Sequence, residues 1–332
     1  MLQGRPLLAT AADNRLFVDR SDELAQLQRS VDNGFNVAMY GDRGSGKTSL
    51  LHQLEYRQRS KRRMVYVDAT GVEDVYALVH RVRDKVAPLP PVNQIIEEQQ
   101  RSMYQDAVGA LPGALSGIVS ADVQSLGRAD PTVILVDASA AGDAAYGLFG
   151  RLRDDLWQLE HRWVVAVDSD DWHEVHRPPA DAFFDIVIAL SRFDDDQLVE
   201  VLTRRATDLD TGALAAIAER SDGNPRRALE LVRQALITGR PIAEVLEGRA
   251  GRQTAAAELG RAHSMLLAEL EDSSEAVSPS DEKLLQRLGW TRERAGQVLR
   301  DLETHNLVTS TQERQPRGRP RKLYRPNTQY ES

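Results

Sequence analysis

One eight-residue stretch constrains this chain more than any other: Gly41-Asp42-Arg43-Gly44-Ser45-Gly46-Lys47-Thr48. It fits G-x-x-x-x-G-K-[ST] at every specified position, which chance would produce in roughly one chain in a hundred of this length. Its surroundings sharpen the match. Asn36–Tyr40 is a short apolar run that reads as a buried strand, and Leu50, Leu51 and Leu54 mark an apolar helix after the glycines. In a strand–turn–helix of this kind, glycines let backbone N–H groups converge on phosphate oxygens, and the helix N-terminus adds partial positive charge. Lys47 is then expected to reach the β- and γ-phosphates of a nucleotide, and the Thr48 hydroxyl to ligate Mg²⁺. Gly41 through Thr48, with Ser49, form the expected phosphate-binding set.

The flanking pattern is that of an α/β domain. Met64–Asp68, Thr132–Asp137, Trp163–Asp168 and Asp185–Leu190 are further apolar runs, with a helical pattern through Val75, Leu78, Val79 and Val82. Continuous apolar strands separated by helices predict a parallel sheet covered on both faces. The stretch from Pro88 to Asp130 fits this alternation poorly and reads as an insertion. Val133-Ile-Leu-Val-Asp137 ends in a carboxylate at the strand's C-terminal edge, where ligands bind in open α/β sheets. Asp137 is therefore expected to hold Mg²⁺ through its water shell. Residue 138 is an alanine, where a hydrolytic enzyme of this class places a second carboxylate to orient water. Asp168 or Asp170 is a possible substitute, and Ser169 a possible contact to the γ-phosphate. Loss of the usual base removes a contribution of about 10²–10⁴-fold, so slow hydrolysis is expected.

Composition narrows the partners. The 332 residues are 41% hydrophobic and 28% charged, an ordinary globular balance, and contain no cysteine. Thiol catalysis, thiolate zinc sites and a disulfide scaffold are thereby excluded. Met1 to Arg20 has no signal-peptide pattern and no apolar run approaches a membrane span, so a soluble, cytoplasmic protein without a membrane partner is expected. The formal net charge of −8 hides an asymmetry. Thr291–Arg325 carries nine Arg/Lys and four Asp/Glu, a local net of +5 that leaves −13 on the remainder. A basic C-terminal patch on an acidic body suggests that one module meets a polyanion.

After Leu190 the strands stop. Asp194–Arg205, Leu214–Arg220 and Asn224–Ile237 read as helices, with Pro225 favourable in a first turn. Gly248–Gly251 reads as a linker. Arg261–Glu271, Lys283–Leu288 and Thr291–Thr304 then form three helices, and Leu307–Gln312 and Lys322–Arg325 can pair across the loop Glu313–Arg321. The expected organisation is a nucleotide-binding core over 1–190, a helical lid over 191–250 and a third module over 251–332.

This order of elements resembles the AAA+ ATPases, particularly the origin-recognition and initiator-loader branch and related signalling ATPases. Phe17-Val18-Asp-Arg-Ser-Asp-Glu-Leu24 looks like the family's N-terminal box around adenine. The phosphate loop and Asp137 look like Walker A and Walker B, Val164–Ser169 like the sensor-1 strand, and Ser191–Leu198 like the lid entry. Gly223-Asn-Pro-Arg226 looks like sensor 2. The resemblance implies that ATP is the nucleotide and that Arg226 forks onto its γ-phosphate, coupling nucleotide state to the lid. Arg162, Arg177 and Arg192 compete for the arginine finger. His173-Glu-Val-His176 has metal-ligand spacing but no third ligand, and reads as a surface loop.

The last module resembles a winged helix-turn-helix. Thr291–Thr304 is then the recognition helix, with Val298, Leu299 and Leu302 inward and Arg292, Arg294, Gln297 and Arg300 facing DNA. Arg314, Arg317, Arg319, Arg321 and Lys322 line the wing. Arg and Gln can read base edges, whereas wing cations neutralise phosphates or enter a minor groove. Winged helices also dock proteins, but the charge favours double-stranded DNA. The leading expectation is an ATP-switched DNA-binding protein serving replication initiation, transposition or defence, with self-assembly or a protein partner possible. The alternatives are a signalling NTPase with a protein-docking winged helix, and a transcription regulator with a degenerate ATPase.

Overall fold

A computed structural model gives the fold and describes residues 2–88, 122–206, 209–273, 276–313 and 320–330. The chain divides into two compact units, Arg5–Arg192 and Phe193–Ser332, with Met1–Gly4 belonging to the second.

The first unit is built on a five-stranded parallel sheet: β1 (Val37–Gly41), β2 (Met64–Asp68), β3 (Val133–Asp137), β4 (Arg162–Asp168) and β5 (Ile186–Ala189), in the order β2-β3-β4-β1-β5. Every residue of β3 is buried, as a central strand covered on both faces requires. On one face Leu24, Leu27 and Val31 of α2 (Ser21–Asp32) and Leu50, Leu51 and Leu54 of α3 (Lys47–Gln58) pack on Val37, Met39, Leu135 and Val164. On the other, Leu78, Val79 and Val82 of α4 (Val75–Val86) join an aromatic group of Phe149, Trp163, Phe183 and Phe184. A short helix α1 (Ala11–Leu16), capped by Thr10, precedes this layer.

Residues 142–156, which carry no clear period in the sequence, are also helical: α5 (Gly142–Tyr146), a π-helical turn over Gly147–Arg151 and α6 (Arg153–Leu156). The insertion expected over Pro88–Asp130 needs correction at its end. Val123 and Leu126 are buried in the second core cluster, so residues 122–126 belong to the domain body, while 89–121 lie outside the described residues. Expected as a loop, His173–His176 is mostly helix, α7 (Trp172–Val175), and the Trp172 ring stacks between Tyr40 and His176 with centroids 4.3 Å apart on each side.

In the second unit, α8 (Asp195–Arg205), α9 (Thr211–Arg220) and α10 (Pro225–Thr238) form the helical cluster. Asp194 and Gln197 make a reciprocal capping box, and Asn224 caps α10 with Pro225 in its first turn. The linker expected at Gly248–Gly251 is absent. Those residues lie inside α11 (Ile242–Leu259), an 18-residue helix with Val245, Leu246, Arg252 and Ala256 buried. Two interior glycines cost about 1 kcal/mol each against alanine, and tertiary packing overrides that preference.

Three further helices, α12 (Arg261–Asp272), α13 (Glu282–Leu288) and α14 (Arg292–Thr304), precede an antiparallel pair, β6 (Val308–Glu313) and β7 (Arg321–Pro326). Leu266, Leu270, Leu284, Leu299, Leu302 and Tyr324 form their common core. This is a winged helix-turn-helix. A buried ion pair, Arg252 with Glu271 at 3.0 Å, fastens α11 to α12, and Asp272 accepts from both Arg227 of α10 and Arg249 of α11. Residues 2–4 also join this unit: Gln3 N–H donates to the Arg205 carbonyl and Arg205 Nε returns to the Gln3 carbonyl, both at 2.9 Å.

Candidate functional site

Parallel pairing brings the C-terminal ends of the strands to one edge. Gly41 of β1 is in register with Asp168 of β4, and Asp137 of β3 with Asp68 of β2. The phosphate loop leaves β1 at this edge and enters α3. Gly44 and Gly46 take φ of +89° and +99°, a left-handed conformation in which a side chain is strained. Gly41 has a second reason to be glycine, because a Cβ there would stand 2.8 Å from Ser45 Oγ and 3.0 Å from Leu190 Cβ. The first intrahelical bond runs from Leu50 N–H to the Gly46 carbonyl, so the N–H groups of Lys47, Thr48 and Ser49 lie in the first turn, where no intrahelical acceptor exists.

Lys47 is buried, and its ammonium makes three contacts: the Gly41 carbonyl at 2.8 Å, the Asp42 carbonyl at 3.0 Å and Asp168 Oδ1 at 2.6 Å. Thr48 Oγ1 donates to Asp137 Oδ2 at 2.5 Å. Asp137 collects two more hydroxyls, Ser139 at 2.7 Å and Tyr66 at 3.3 Å. Burial and the Asp137 carboxylate push the Tyr66 hydroxyl far above its ordinary range, which keeps it a donor. Ala138 is fully buried and its N–H is bonded to the Ala166 carbonyl, so the position after Asp137 faces the core.

The residues present fit a magnesium nucleotide. Ser45 Oγ is buried and has no hydrogen-bond partner among the described residues, which is the condition of a loop hydroxyl awaiting an acceptor. Thr48 and Asp137 supply the hard oxygen donors that Mg²⁺ prefers, with room left for water and phosphate oxygens. Arg43 is exposed at the loop's outer side. The Ser49 hydroxyl accepts from Leu7 N–H at 3.1 Å, so its side chain fixes the N-terminal segment while its backbone stays in the helix start.

Phe17 packs against the α2–α3 core and Val18 is buried. The residues after them carry a feature the sequence did not disclose. Asp19 and Arg20 both have positive φ, and buried Arg20 pairs with Glu23 at 2.7 Å and donates to the Ser191 carbonyl. This ties the segment after Val18 to the end of the first unit. Ser169 N–H donates to the Gly41 carbonyl at 3.0 Å, placing Ser169 against the phosphate loop. Asp170 is exposed. Among the finger candidates, Arg192 pairs with Asp42 of the same loop at 3.1 Å, Arg177 lies over the Tyr146 ring, and Arg162 donates to the His161 carbonyl. Arg226 belongs to the second unit, in the first turn of α10, with its N–H accepted by Asn224 Oδ1 at 3.0 Å.

On the winged helix, Arg292, Arg294, Gln297 and Arg300 are all exposed along α14, opposite buried Ala295, Val298, Leu299 and Leu302. None of the three arginines is in an ion pair among the described residues. Arg294 lies over the Trp290 ring, and Arg300 donates to Gln297, which donates to Asp301. Lys322 is more committed than its sequence position suggested. Its ammonium donates to Glu303 at 2.7 Å, and Ser310 donates to the same carboxylate. The hydrogen bonds from Lys322 and Ser310 hold Glu303 below the usual carboxylate range. Arg321 begins β7, whereas Arg314, Arg317 and Arg319 lie outside the described residues.

A parallel sheet in the order β2-β3-β4-β1-β5, a phosphate loop after β1 and an acidic strand end on β3 define the fold of the P-loop ATPases of AAA+ type. A helical cluster and a winged helix follow this sheet in the chain. The solved structure of the Aeropyrum pernix ORC1 protein in complex with DNA is similar over 94% of this chain and 90% of that one, at 19% identity and a TM-score of 0.52. Cdc6p from Pyrobaculum aerophilum is similar over 94% and 92%, at 18% identity and a TM-score of 0.51. No protein-family model matches the sequence, and no curated protein matches it. Among the described residues no helix is long and apolar enough to cross a membrane.

Proposed function

We propose that this protein is an ATP-dependent switch that binds double-stranded DNA. The observation that carries the reading is the convergence of Lys47, Thr48 and Asp137 at one sheet edge, beside a buried loop hydroxyl that lacks an acceptor. Bound ATP–Mg²⁺ would supply a γ-phosphate whose presence or absence separates two states. Lys47 would bind phosphate as a point charge, Thr48 and Asp137 would hold the metal and its water, and Phe17 and Val18 would flank the adenine. Arg226 would answer to the terminal phosphate, as its resemblance to sensor 2 implies. With Ala138 in the core, the position after Asp137 offers no carboxylate to orient water, so turnover is slow and the nucleotide acts by occupancy.

The DNA-facing element is α14. Arg292, Arg294, Gln297 and Arg300 lie on its exposed side, with the basic wing through Arg317, Arg319, Arg321 and Lys322 beside it in sequence. The Orc1 protein of similar fold was solved with DNA, which supports duplex DNA over a docked protein as the partner. Such a switch would serve replication initiation, transposition or defence.

The nucleotide half of the proposal is tested by titrating a fluorescent ATP analogue with Mg²⁺ into wild type and Lys47→Ala. Saturable binding to wild type, weakened at least about 10-fold in the variant, is expected. Equal binding by both proteins would contradict the assignment of Lys47.

A further inference from the structure

The Lys47 ammonium donates to two loop carbonyls and stands in an ion pair with Asp168. The carbonyls are neutral and belong to the loop. Asp168 is different. It is an anion, it comes from another strand, and it stands 2.6 Å from the ammonium that a terminal phosphate would need.

Its position is fixed by backbone bonds. Asp168 closes β4 in register with Gly41, and the next residue, Ser169, donates its N–H to the Gly41 carbonyl at 3.0 Å. The Asp171 N–H returns to the Asp168 carbonyl at 3.1 Å, so the strand turns immediately after the carboxylate. The Lys47 side chain is 4% exposed and that of Asp168 17%, so the pair is screened less than a surface ion pair.

We infer that Asp168 is a specificity residue that sets the balance between di- and triphosphate at this site. The inference rests on the nucleotide reading given above. A diphosphate fills the loop with its β-phosphate and can leave Lys47 paired to Asp168. A triphosphate must draw Lys47 toward the γ-phosphate, breaking the pair, and leaves the carboxylate facing a second anion. Like charges brought together at short range oppose binding of that ligand and not of the shorter one. The carboxylate thus weakens ATP relative to ADP, and its removal changes the ratio of the two affinities, not merely their level.

The test is calorimetric titration of the full chain with ADP and with a non-hydrolysable β,γ-imido analogue of ATP, each with Mg²⁺. Wild type, Asp168→Asn and Asp168→Ser are compared, and Glu174→Gln, an exposed carboxylate on α7, serves as a control for net charge. Thermal melting of each variant verifies that it is folded. In both Asp168 variants the affinity for the triphosphate should rise about 10-fold or more relative to ADP, a change of roughly 1.4 kcal/mol in the difference. Glu174→Gln should leave the ratio where it is. An unchanged or reduced ratio in folded Asp168 variants would overturn the inference, including the case in which only hydrolysis falls, which would make Asp168 a water-orienting group. Binding of neither nucleotide by any of the proteins would instead remove the nucleotide reading, and this inference with it.

Discussion

Thr48 Oγ1 donates to Asp137 Oδ2 at 2.5 Å, joining the first turn of a helix to the end of a strand 89 residues away in sequence. The two oxygens are held together by the fold itself, since β3 and β1 flank β4 and α3 starts where the phosphate loop ends. A metal between phosphate and protein would be met by this pair without large rearrangement. Asp137→Asn keeps an acceptor for Thr48 but removes the charge. Its expected effect is loss of the Mg²⁺-dependent part of nucleotide affinity with little change in melting temperature, read from titrations with Mg²⁺ and with EDTA. A variant whose affinity still rises normally with Mg²⁺ would show that Asp137 is only a structural acceptor.

Glu271 and Arg252 provide a stability prediction. Their side chains are 2% and 3% exposed, and Gln253 and Arg249 also reach the carboxylate. Removing one member of a buried pair leaves the other charge uncompensated, at a cost of about 3–5 kcal/mol. Glu271→Ala should lower the urea midpoint accordingly. Replacing both residues, Arg252→Met with Glu271→Leu, should recover much of the loss, because the desolvation penalty of both charges disappears. A double variant no more stable than the single one would contradict this account.

Much of this architecture is legible in the amino-acid sequence. The strand ends, the phosphate loop, Asp137 and the helices of the winged module depend on local pattern: apolar runs, glycine spacing and caps such as Asn224 and Asp281. What stays hidden depends on tertiary contact. Gly248 and Gly251 carry a linker's composition, yet the helix holding them is fixed by burial of Val245, Leu246 and Ala256 and by the Arg252–Glu271 pair. Arg20 reads as one more charged residue in a helix entry, because only the fold brings Ser191 to its guanidinium. The Lys47–Asp168 contact is similar, with 2.6 Å separating residues from different elements. The 122–126 segment escapes for the opposite reason: its two core residues, Val123 and Leu126, are too few to make a recognisable period.

Acid sensitivity should trace in part to His161. The ring is buried, with Nδ1 accepting from Thr132 N–H at 3.2 Å and Nε2 donating to the Leu126 carbonyl at 3.0 Å. Burial lowers its pKa, against the hydrogen bond to Leu126, with Arg63 and Arg162 adding to the shift. A histidine with a depressed folded pKa binds protons more readily when unfolded. Stability is therefore complete above about pH 6.5 and falls as the pH drops toward the folded-state pKa. Melting curves of wild type and His161→Gln across this window should differ in slope, the variant being flatter. Parallel curves would assign the acid response to other groups.

Salt dependence separates the winged-helix cations. If Arg292, Arg294 and Arg300 each meet a phosphate, each alanine variant should reduce the slope of log K against log salt by about 1. Lys322→Ala should do less, because Glu303 already accepts from that ammonium and would lose its ion-pair partner by its removal. Fluorescence anisotropy with a labelled duplex at several salt concentrations measures both. A Lys322 effect larger than that of the α14 arginines would move the DNA contact from helix to wing.

Nucleotide occupancy is expected to change binding to DNA. The most direct measurement is the anisotropy of a labelled DNA duplex titrated with the full chain in ATP–Mg²⁺, in ADP–Mg²⁺ and without nucleotide, with Lys47→Ala alongside. Affinity should fall with salt and differ between nucleotide states in wild type but not in the variant. Failure to bind duplex DNA in every state would contradict this expectation, and would turn the winged helix into a surface for another protein.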